Sequence, residues 1–482
     1  RKTGATAKEM LLLAAAEKWK AAKTDCYAKD GYIHHQPSGN KLSYGELVAA
    51  ASKLPVPSQP TLKDPSKFNI LGKNAQRPDI PLKVSGKAVF GIDAEVPGMV
   101  YASIARCPVF GAKLVSFTDT DAKKLSGVSA VMKVKRIYGK YTYEGVAVVA
   151  NSYWAALQGK KALKIDWDYG DKKAFDSTKW EAELRNKAKE EGIVVHTKGN
   201  FEEAFEAAPV KMEAMYETPM VSHSPMEPMN CTAKFEKNQL EVWVSIQGPD
   251  IIKRELSKVL DIPKDNIKVN VLFNGGGFGR RLYTDFVVEA AFIAKEIGKP
   301  VKVIWTREED TQLGPFRPQT FSAMKAALNA NGEVAAFQHK VIAPSLRASG
   351  NPQFDKTKAD GTMVEGISEQ QYQFGTMKNA YVYVDSHIPF AAWRSVTSST
   401  LAFAHECFID ELAAKAGKDA MDYRIQLMKK DSDAQKVLIK LKNFANWEKP
   451  LPAGWGRGIA QYEFFAGLAA FVVEVSKQKE GG

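Results

Sequence analysis

The chain has 482 residues, of which 45% are hydrophobic and 25% are charged; these proportions exclude a disordered chain and suit two or three globular domains. Its formal net charge of +12 suits an acidic partner, but no block of basic residues is interleaved with aromatic residues, so nucleic-acid binding is not predicted. The four cysteines are too far apart for a C-x-x-C site, and no apolar run approaches the roughly 18 residues of a membrane span.

The first 60 residues are predicted to form two helices separated by a hairpin. Apolar spacing indicates a helix over 5–22, and a hairpin is expected over 26–42 around a Pro-Ser-Gly-Asn turn. Ser43 and Glu46 have the spacing of a capping box, which starts the second helix. Three prolines between 55 and 60 then predict an extended linker and a domain boundary.

A small α+β domain is predicted over 61–172, and a larger mixed α/β region over 173–482. The small domain should contain three apolar strands and one helix, at 99–104, 130–134, 145–149 and 152–160. A charged helix is expected over 177–191, and the helix over 399–415 should stop at Gly417.

A strand, a glycine-rich loop and a helix follow one another between 267 and 297. Apolar residues alternate along 267–273, and residues 275–279 form the sequence Gly-Gly-Gly-Phe-Gly, here called the glycine loop. Thr284 or Asp285 can cap the helix that follows, and Gly298 is a stop signal. Backbone N–H groups of such a loop can approach an anion closely, and a helix N-terminus favours negative charge.

Arg280 and Arg281 follow the glycine loop directly. Their forked donors suit a phosphate, and the alternative is a tight turn whose arginines are solvated surface charges. The glycine spacing matches neither a P-loop nor a G-x-G-x-x-G dinucleotide site.

Three further residues lie where ligands tend to bind. Glu227, between two prolines, is either a general base or a structural carboxylate bonded to backbone N–H groups. Gln247 follows a predicted strand, and Arg394 stands between Trp393 and Ser395 just before a helix. Several positions suited to binding an anion occur in this one chain, and together they indicate a large anionic ligand. The scattered histidines contain no H-E-x-x-H, so no metal-ligating set of side chains is predicted.

Six ordered segments resemble the large subunit of the xanthine oxidase/aldehyde oxidase family of molybdenum hydroxylases. The double arginine and the Trp-Arg-Ser segment are most similar to its isoquinoline 1-oxidoreductase β-subunit branch. The segments are HSPMEPMNCTA (223–233), SIQGPD (245–250), NGGGFGRRLYTDFVVEAA (274–291), VKVIWTREED (301–310), AAWRSVTSS (391–399) and ECFIDELAAKAGKD (406–419).

The resemblance implies a multi-domain α+β large subunit. Residues 1–60 would be an N-terminal part of the molybdopterin-binding region with a linker, residues 61–172 a hammerhead-type domain, and residues 173–482 molybdopterin-binding domains. The implied cofactor is molybdenum–molybdopterin in its cytosine dinucleotide form, with 2Fe–2S clusters only in a partner subunit. A cytochrome c acceptor and a periplasmic location are expected from the same branch, with the cytoplasm as the alternative location.

The resemblance also assigns roles to residues. Gln247, Phe278 and Arg394 match catalytic positions, where Gln247 resembles a glutamine beside the metal's oxo group. The implied cofactor-binding residues are Gln247, Gly276, Gly277, Phe278, Gly279, Arg280, Arg281, Trp393, Arg394 and Ser395. The implied reaction is hydroxylation of an aldehyde or N-heteroaromatic C–H with oxygen derived from water.

Two family motifs are absent from these 482 residues: the Gly-Glu motif that carries the base glutamate, and a Gly-Gln-Gly segment. Gly45-Glu46 belongs to the predicted capping box and Gly332-Glu333 to a turn, so neither is assigned as the base. We expect a large subunit whose remaining parts lie in a longer chain or a separate polypeptide. The alternative hypothesis is a catalytically inactive scaffold within such a complex.

Overall fold

The computed structural model describes residues 1–367 and 370–477, and it divides the chain into two compact units, Arg1–Ala88 and Val89–Gly482. Helices and sheets are mixed in the chain, and the predicted fold class is confirmed. The division at residue 88 differs from the predicted domain boundaries at 60 and 172, which stay predictions.

The first unit contains three helices and a small three-stranded sheet. Its helices α1 to α3 lie at Lys2–Trp19, Tyr44–Ala51 and Ile80–Val84, and its strands β1 to β3 at Cys26–Lys29, Tyr32–His35 and Lys41–Ser43. The capping box is confirmed, because Ser43 Oγ accepts from the Glu46 N–H and the Glu46 carboxylate accepts from the Ser43 N–H. The single hairpin is corrected to three strands, since a turn at Asp30 and Gly31, both at positive φ, divides its first arm.

The second unit holds the remaining elements. Its strands β4 to β19 lie in chain order at Val100–Arg106, Lys113–Thr118, Val128–Tyr138, Tyr141–Ala150, Lys164–Asp168, Ile193–Lys198, Val210–Thr218, Asn230–Glu236, Gln239–Val244, Ile267–Val271, Val301–Ile304, Thr320–Leu328, Val334–Ala343, Thr376–Tyr383, Trp455–Phe464 and Gly467–Ser476. Its helices α4 to α14 lie at Thr120–Lys123, Tyr153–Lys161, Ser177–Lys187, Phe201–Ala207, Pro249–Leu260, Asp285–Ile297, Arg307–Leu313, Leu346–Gly350, Ser398–Lys415, Ala420–Leu427 and Asp433–Phe444.

A seven-stranded sheet carries the site described below. Its order is β13-β12-β11-β14-β4-β7-β6, with the pairs β12/β13 and β14/β4 parallel and the other neighbours antiparallel. Strands of the segment 61–172 thus share a sheet with strands from 230–304. Helix α9 packs against this sheet and is buried on almost every side, in keeping with its many apolar residues; Asp285 and Glu289 are buried with them. Gly298, at φ 64°, ends it as predicted.

A five-stranded sheet, β10-β15-β16-β17-β9, forms the other large layer. The apolar faces of α12, α13 and α14 pack against it in a second core that includes Phe337, Phe408 and Leu412. The predicted helix over 399–415 is confirmed as α12, and Gly417 at φ 66° follows it. In the described part of the chain, no helix is both long enough and apolar enough to cross a membrane.

Candidate functional site

The glycine loop and Gln247 leave the large sheet at the same end. Strands β12 and β13 are parallel, so the residues that follow each strand meet at one edge. Gln247 comes three residues after β12, and its N–H donates to the carbonyl of Arg281 at 3.0 Å. The pairing therefore places Gln247 against the glycine loop, although about thirty residues separate them in sequence.

The side chain of Gln247 lies on the loop. Its Oε1 accepts a hydrogen bond from the Gly279 N–H at 3.1 Å, and a β-carbon at Gly277 would stand only 2.6 Å from the same oxygen. Gln247 is exposed, and within residues 1–367 and 370–477 its NH₂ group donates to no protein acceptor. That NH₂ group can therefore donate to a ligand lying on the loop.

The Ala-Trp-Arg-Ser segment, residues 392–395, is hydrogen-bonded to the other side of the glycine loop. The Arg394 N–H donates to the Phe278 carbonyl at 2.8 Å. Both backbone polar groups of Ala392 are hydrogen-bonded: its carbonyl accepts from His223 Nε2 at 3.0 Å, and its N–H donates to the Tyr283 hydroxyl at 2.8 Å. The structure thus brings Gln247, the glycine loop and Arg394 together, as the sequence predicts; their roles stay predictions.

Both of these facing segments contain non-glycine residues with positive φ. Phe278 has φ 53°, Ser395 φ 66° and Val396 φ 50°, and Ser224 beside them has φ 40°. A positive φ is uncommon for any residue with a side chain, and it is a clear outlier for β-branched valine. Such strain persists only where the surrounding structure enforces it, and it clusters at functional sites.

Arg280 is buried rather than placed toward a ligand. It is 1% exposed, and its Nη1 and Nη2 donate to the two carboxylate oxygens of Asp285 at 2.7 and 2.8 Å. Burial raises the pKa of Asp285, but the Arg280 charge and hydrogen bonds outweigh it, so the carboxyl pKa lies below its ordinary value. The surface-charge alternative for Arg280 is wrong, because the side chain is buried; Asp285 occupies both terminal nitrogens of the guanidinium, which leaves only Nε for any other acceptor.

The same pair removes the predicted anion site at the start of α9. Asp285 is 1% exposed and stands in the first turn, where its negative charge already complements the helix dipole. Thr284 is the N-cap residue but makes no side-chain capping bond. The start of α9 is therefore internal, and the prediction that it faces a ligand is wrong.

Arg281 is also fully buried. Its Nε donates to the Gly276 carbonyl at 2.8 Å, its Nη1 to the Ser245 carbonyl at 3.1 Å and its Nη2 to the Glu227 carbonyl at 2.8 Å. The guanidinium thus binds the back of the glycine loop from inside the protein, and its predicted exposure to phosphate or solvent is wrong. Two of these acceptors lie 36 and 54 residues away in sequence, so no local pattern could indicate them.

Glu227 serves as a structural carboxylate. Its Oε1 accepts from the Ile92 N–H at 3.0 Å and from Asn230 Nδ2 at 2.8 Å. Its Oε2 accepts from the Gly275 N–H at 2.8 Å and forms an ion pair with Arg281 at 3.0 Å. Of the two alternatives left open by the sequence, the structure supports the structural role.

Arg394 is the exposed arginine of the predicted set. Within the described ranges its side chain has no hydrogen bond or ion pair with the protein. Its neighbour Trp393 is partly buried, with the Arg317 guanidinium 5.1 Å from its ring centre. A cation held next to the glycine loop with no protein partner is suited to an anionic group of a ligand.

Several buried polar atoms around these loops have no hydrogen-bond partner in the described part of the chain. They are His223 Nδ1, Arg280 Nε, Asp310 Oδ1, Arg317 Nε and Trp393 Nε1. Burial lowers the pKa of His223 to about 4, so its imidazole is neutral, and Nδ1 is an acceptor while Nε2 donates to Ala392. Buried polar groups are rarely left unpaired, so this cluster fits ordered water or a polar ligand. The sequence marks His223 only as the first residue of a proline-rich loop.

The chain matches a family model described as the molybdopterin cofactor-binding domain over residues 184–428. It is 27% identical to the isoquinoline 1-oxidoreductase subunit beta of Brevundimonas diminuta over 98% of this chain and 66% of that protein. It is also 27% identical to the aldehyde oxidoreductase molybdenum-binding subunit of Escherichia coli strain K12, over 74% of this chain and 50% of that protein. The chain thus spans about half to two thirds of these relatives.

Solved structures share the fold. Quinoline 2-oxidoreductase from Pseudomonas putida 86 superposes with a TM-score of 0.65 at 18% identity, covering 81% of this chain and 57% of that one. The family match includes the whole strand, glycine loop and helix unit, Gln247 and the Ala-Trp-Arg-Ser segment. The chain belongs to the molybdopterin cofactor-binding domain family.

Proposed function

We propose that the chain is part of the large subunit of a molybdenum hydroxylase and holds a molybdenum–molybdopterin cofactor on the face formed by the glycine loop, Gln247 and Arg394. One observation carries the proposal: two strained loops are bonded to each other through Phe278 and Arg394, and both border an unpaired amide and an exposed guanidinium. Strained, preorganised loops with unpaired donors are typical of a ligand site.

The residues present fit such a cofactor. Glycines at 276, 277 and 279 let the loop backbone pack directly against Pro225, Gln247 and Ala392, so the loop, the Gln247 amide and the Ala392–Ser395 segment lie close together. The NH₂ group of Gln247 would donate to an oxygen of the metal centre, and Arg394 would pair with negative charge on the cofactor. Phe278, 41% exposed, would cover the centre and exclude water from it.

When bound, the cofactor would supply the transfer of a water-derived oxygen to an electron-poor carbon, with two electrons removed from the substrate. The chain's own residues would orient and polarise the bound ligand. The Gly279 N–H fixes the Gln247 side chain, so the direction of its NH₂ donor is set before a ligand binds. Phe278 and Trp393 would form apolar walls for a flat substrate.

The finer assignments rest on relatives rather than on geometry. The names of two relatives, an isoquinoline 1-oxidoreductase and an aldehyde oxidoreductase, support an N-heteroaromatic or aldehyde substrate, and their description as subunits supports a partner chain. We extend this to a small 2Fe–2S subunit as electron acceptor, a cytosine dinucleotide cofactor, a cytochrome c as onward acceptor and a periplasmic location.

Glu227 cannot supply the base of the reaction, because both carboxylate oxygens are already bonded within the protein. The proposal therefore assigns the base to polypeptide beyond these residues, in line with the chain's partial coverage of its relatives. The alternative is an inactive scaffold that has no such base.

The test is metal and pterin analysis of the full-length protein, purified with its partners from cells supplied with molybdate. The proposal expects about one molybdenum and one pterin per chain. A freshly isolated, intact complex without molybdenum would refute it and support the scaffold. With the metal present, substitution of Arg394 by alanine should lower retained pterin, whereas substitution of the exposed Arg254 on α8, which pairs with its neighbour Glu255, should not.

A further inference from the structure

Three separate segments converge on the guanidinium of Arg281 behind the glycine loop. Gly276 belongs to the loop itself, Ser245 follows strand β12, and Glu227 precedes strand β11. All three contribute carbonyl oxygens, and Arg281 is 0% exposed. Because Arg281 is fully buried, water does not compete for these three carbonyl groups.

The carboxylate of Glu227 binds the same loop at Gly275, the residue before Gly276. It accepts from the Gly275 N–H at 2.8 Å, while the Glu227 N–H donates to the Gly275 carbonyl at 3.0 Å. Glu227 also forms an ion pair with Arg281. Residues 275 and 276 are therefore bonded to two side chains that carry opposite charges and pair with each other. The rear of the loop is thus anchored at consecutive peptide groups.

We propose that Arg281 and Glu227 are a positioning pair, which sets the glycine loop in its cofactor-receiving shape before the cofactor binds. The inference rests on the proposed function, but it concerns the empty loop and can be tested without activity. Neither residue would touch the cofactor, because both point inward.

The strain at Phe278 explains why such a pair is needed. A residue with a side chain at φ 53° relaxes toward negative φ unless its neighbours are fixed. On one side of Phe278, Arg281 holds Gly276, and on the other side Gly279 is held by Gln247. Without the rear anchor, rotation at the adjoining glycines would let the loop relax and turn Phe278 away from the site.

The chemistry of the pair favours arginine over lysine at 281. A planar guanidinium presents donors in three fixed directions, which match carbonyls on three different segments. An ammonium on a flexible stem cannot reach all three at once. Arg281→Lys should therefore keep the charge opposite Glu227 and still lose the positioning.

The experiment compares Arg281→Met with Arg424→Met in the full-length complex. Arg424 is equally buried and pairs with Glu406 at 3.0 Å, but it lies on α13 in the core of the other sheet. Hydrogen exchange by mass spectrometry follows a peptide covering 274–283 in protein made without molybdate, and metal analysis follows retention in protein made with it.

We expect Arg281→Met and Arg281→Lys to speed exchange of that peptide at least tenfold and to lower molybdenum content more than twofold. Arg424→Met should lower the melting temperature but leave both loop readouts at wild-type values. If Arg281→Met accumulates too poorly to purify, Glu227→Gln, which keeps the volume and one acceptor, should show the same exchange increase to a smaller degree.

The inference is overturned if the Arg281 variants exchange like wild type in this peptide, or if Arg424→Met speeds exchange there equally. Absence of molybdenum from the wild-type complex would refute the proposed function alone, because loop exchange in the cofactor-free protein would still report whether the pair positions the loop.

Discussion

Replacement of Gly279 by alanine should separate the two loops of the site. Gly279 has φ 103°, and a β-carbon built there would overlap the carbonyl oxygen of Ala392. That oxygen is backbone and cannot rotate away, so the whole segment 391–396 must move. The matched control is Gly298→Ala: Gly298 also has positive φ, 64°, but among the described residues no neighbouring atom lies within 4 Å of a β-carbon built there.

The expected magnitudes follow from these contacts. Alanine in a left-handed conformation costs about 1–2 kcal/mol of folding free energy, and both variants carry this term. Moving Ala392 also breaks its bonds to His223 and Tyr283 and the bond from Arg394 to Phe278. At about 1 kcal/mol for each net hydrogen bond, Gly279→Ala should be less stable than the control by about 2–3 kcal/mol.

The assay pairs urea unfolding with molybdenum content in the full-length protein. The unfolding midpoint should fall in the order wild type, Gly298→Ala, Gly279→Ala, and only Gly279→Ala should lose the metal. Equal midpoints for the two variants, together with wild-type molybdenum in Gly279→Ala, would refute the reasoning that close contact of these loops builds the site.

Three further outcomes are expected. Gly277→Val should reduce molybdenum content at a near wild-type unfolding midpoint, because its β-carbon, 2.6 Å from Gln247 Oε1, displaces an exposed side chain from its bond to the Gly279 N–H rather than moving backbone; unchanged metal would contradict this. Phe278→Ala should lower kcat/KM at least tenfold while molybdenum is retained, since the ring is 41% exposed and contributes little to folding; a normal kcat/KM would count against its covering role. Burial lowers the pKa of His223 to about 4 and of His405 to about 3, so below pH 6.5 the unfolded chain binds protons that the folded chain does not. Stability should therefore decrease from pH 6.5 to pH 5, by about 2 kcal/mol per histidine, and a urea midpoint that does not change over this range would exclude the effect.

The sequence by itself determined the features whose signals are local. A capping box needs two residues three positions apart, so Ser43 and Glu46 were readable directly. The apolar run of α9 and its glycine stop are equally local, as are the ordered segments that identified the family. Even the grouping of Gln247, the glycine loop and Arg394 followed from recognition of those segments, not from spacing.

Only the tertiary structure decided which charges face inward. Arg280 and Arg281 are adjacent and look alike in sequence, yet each is buried against its own partner, Asp285 for one and three carbonyls with Glu227 for the other. Burial of an arginine depends on acceptors that other strands bring to it, and these lie up to 54 residues away. The glycine loop therefore keeps its predicted place at the site, whereas its two arginines support it from within the protein and leave Arg394 as the arginine that faces outward.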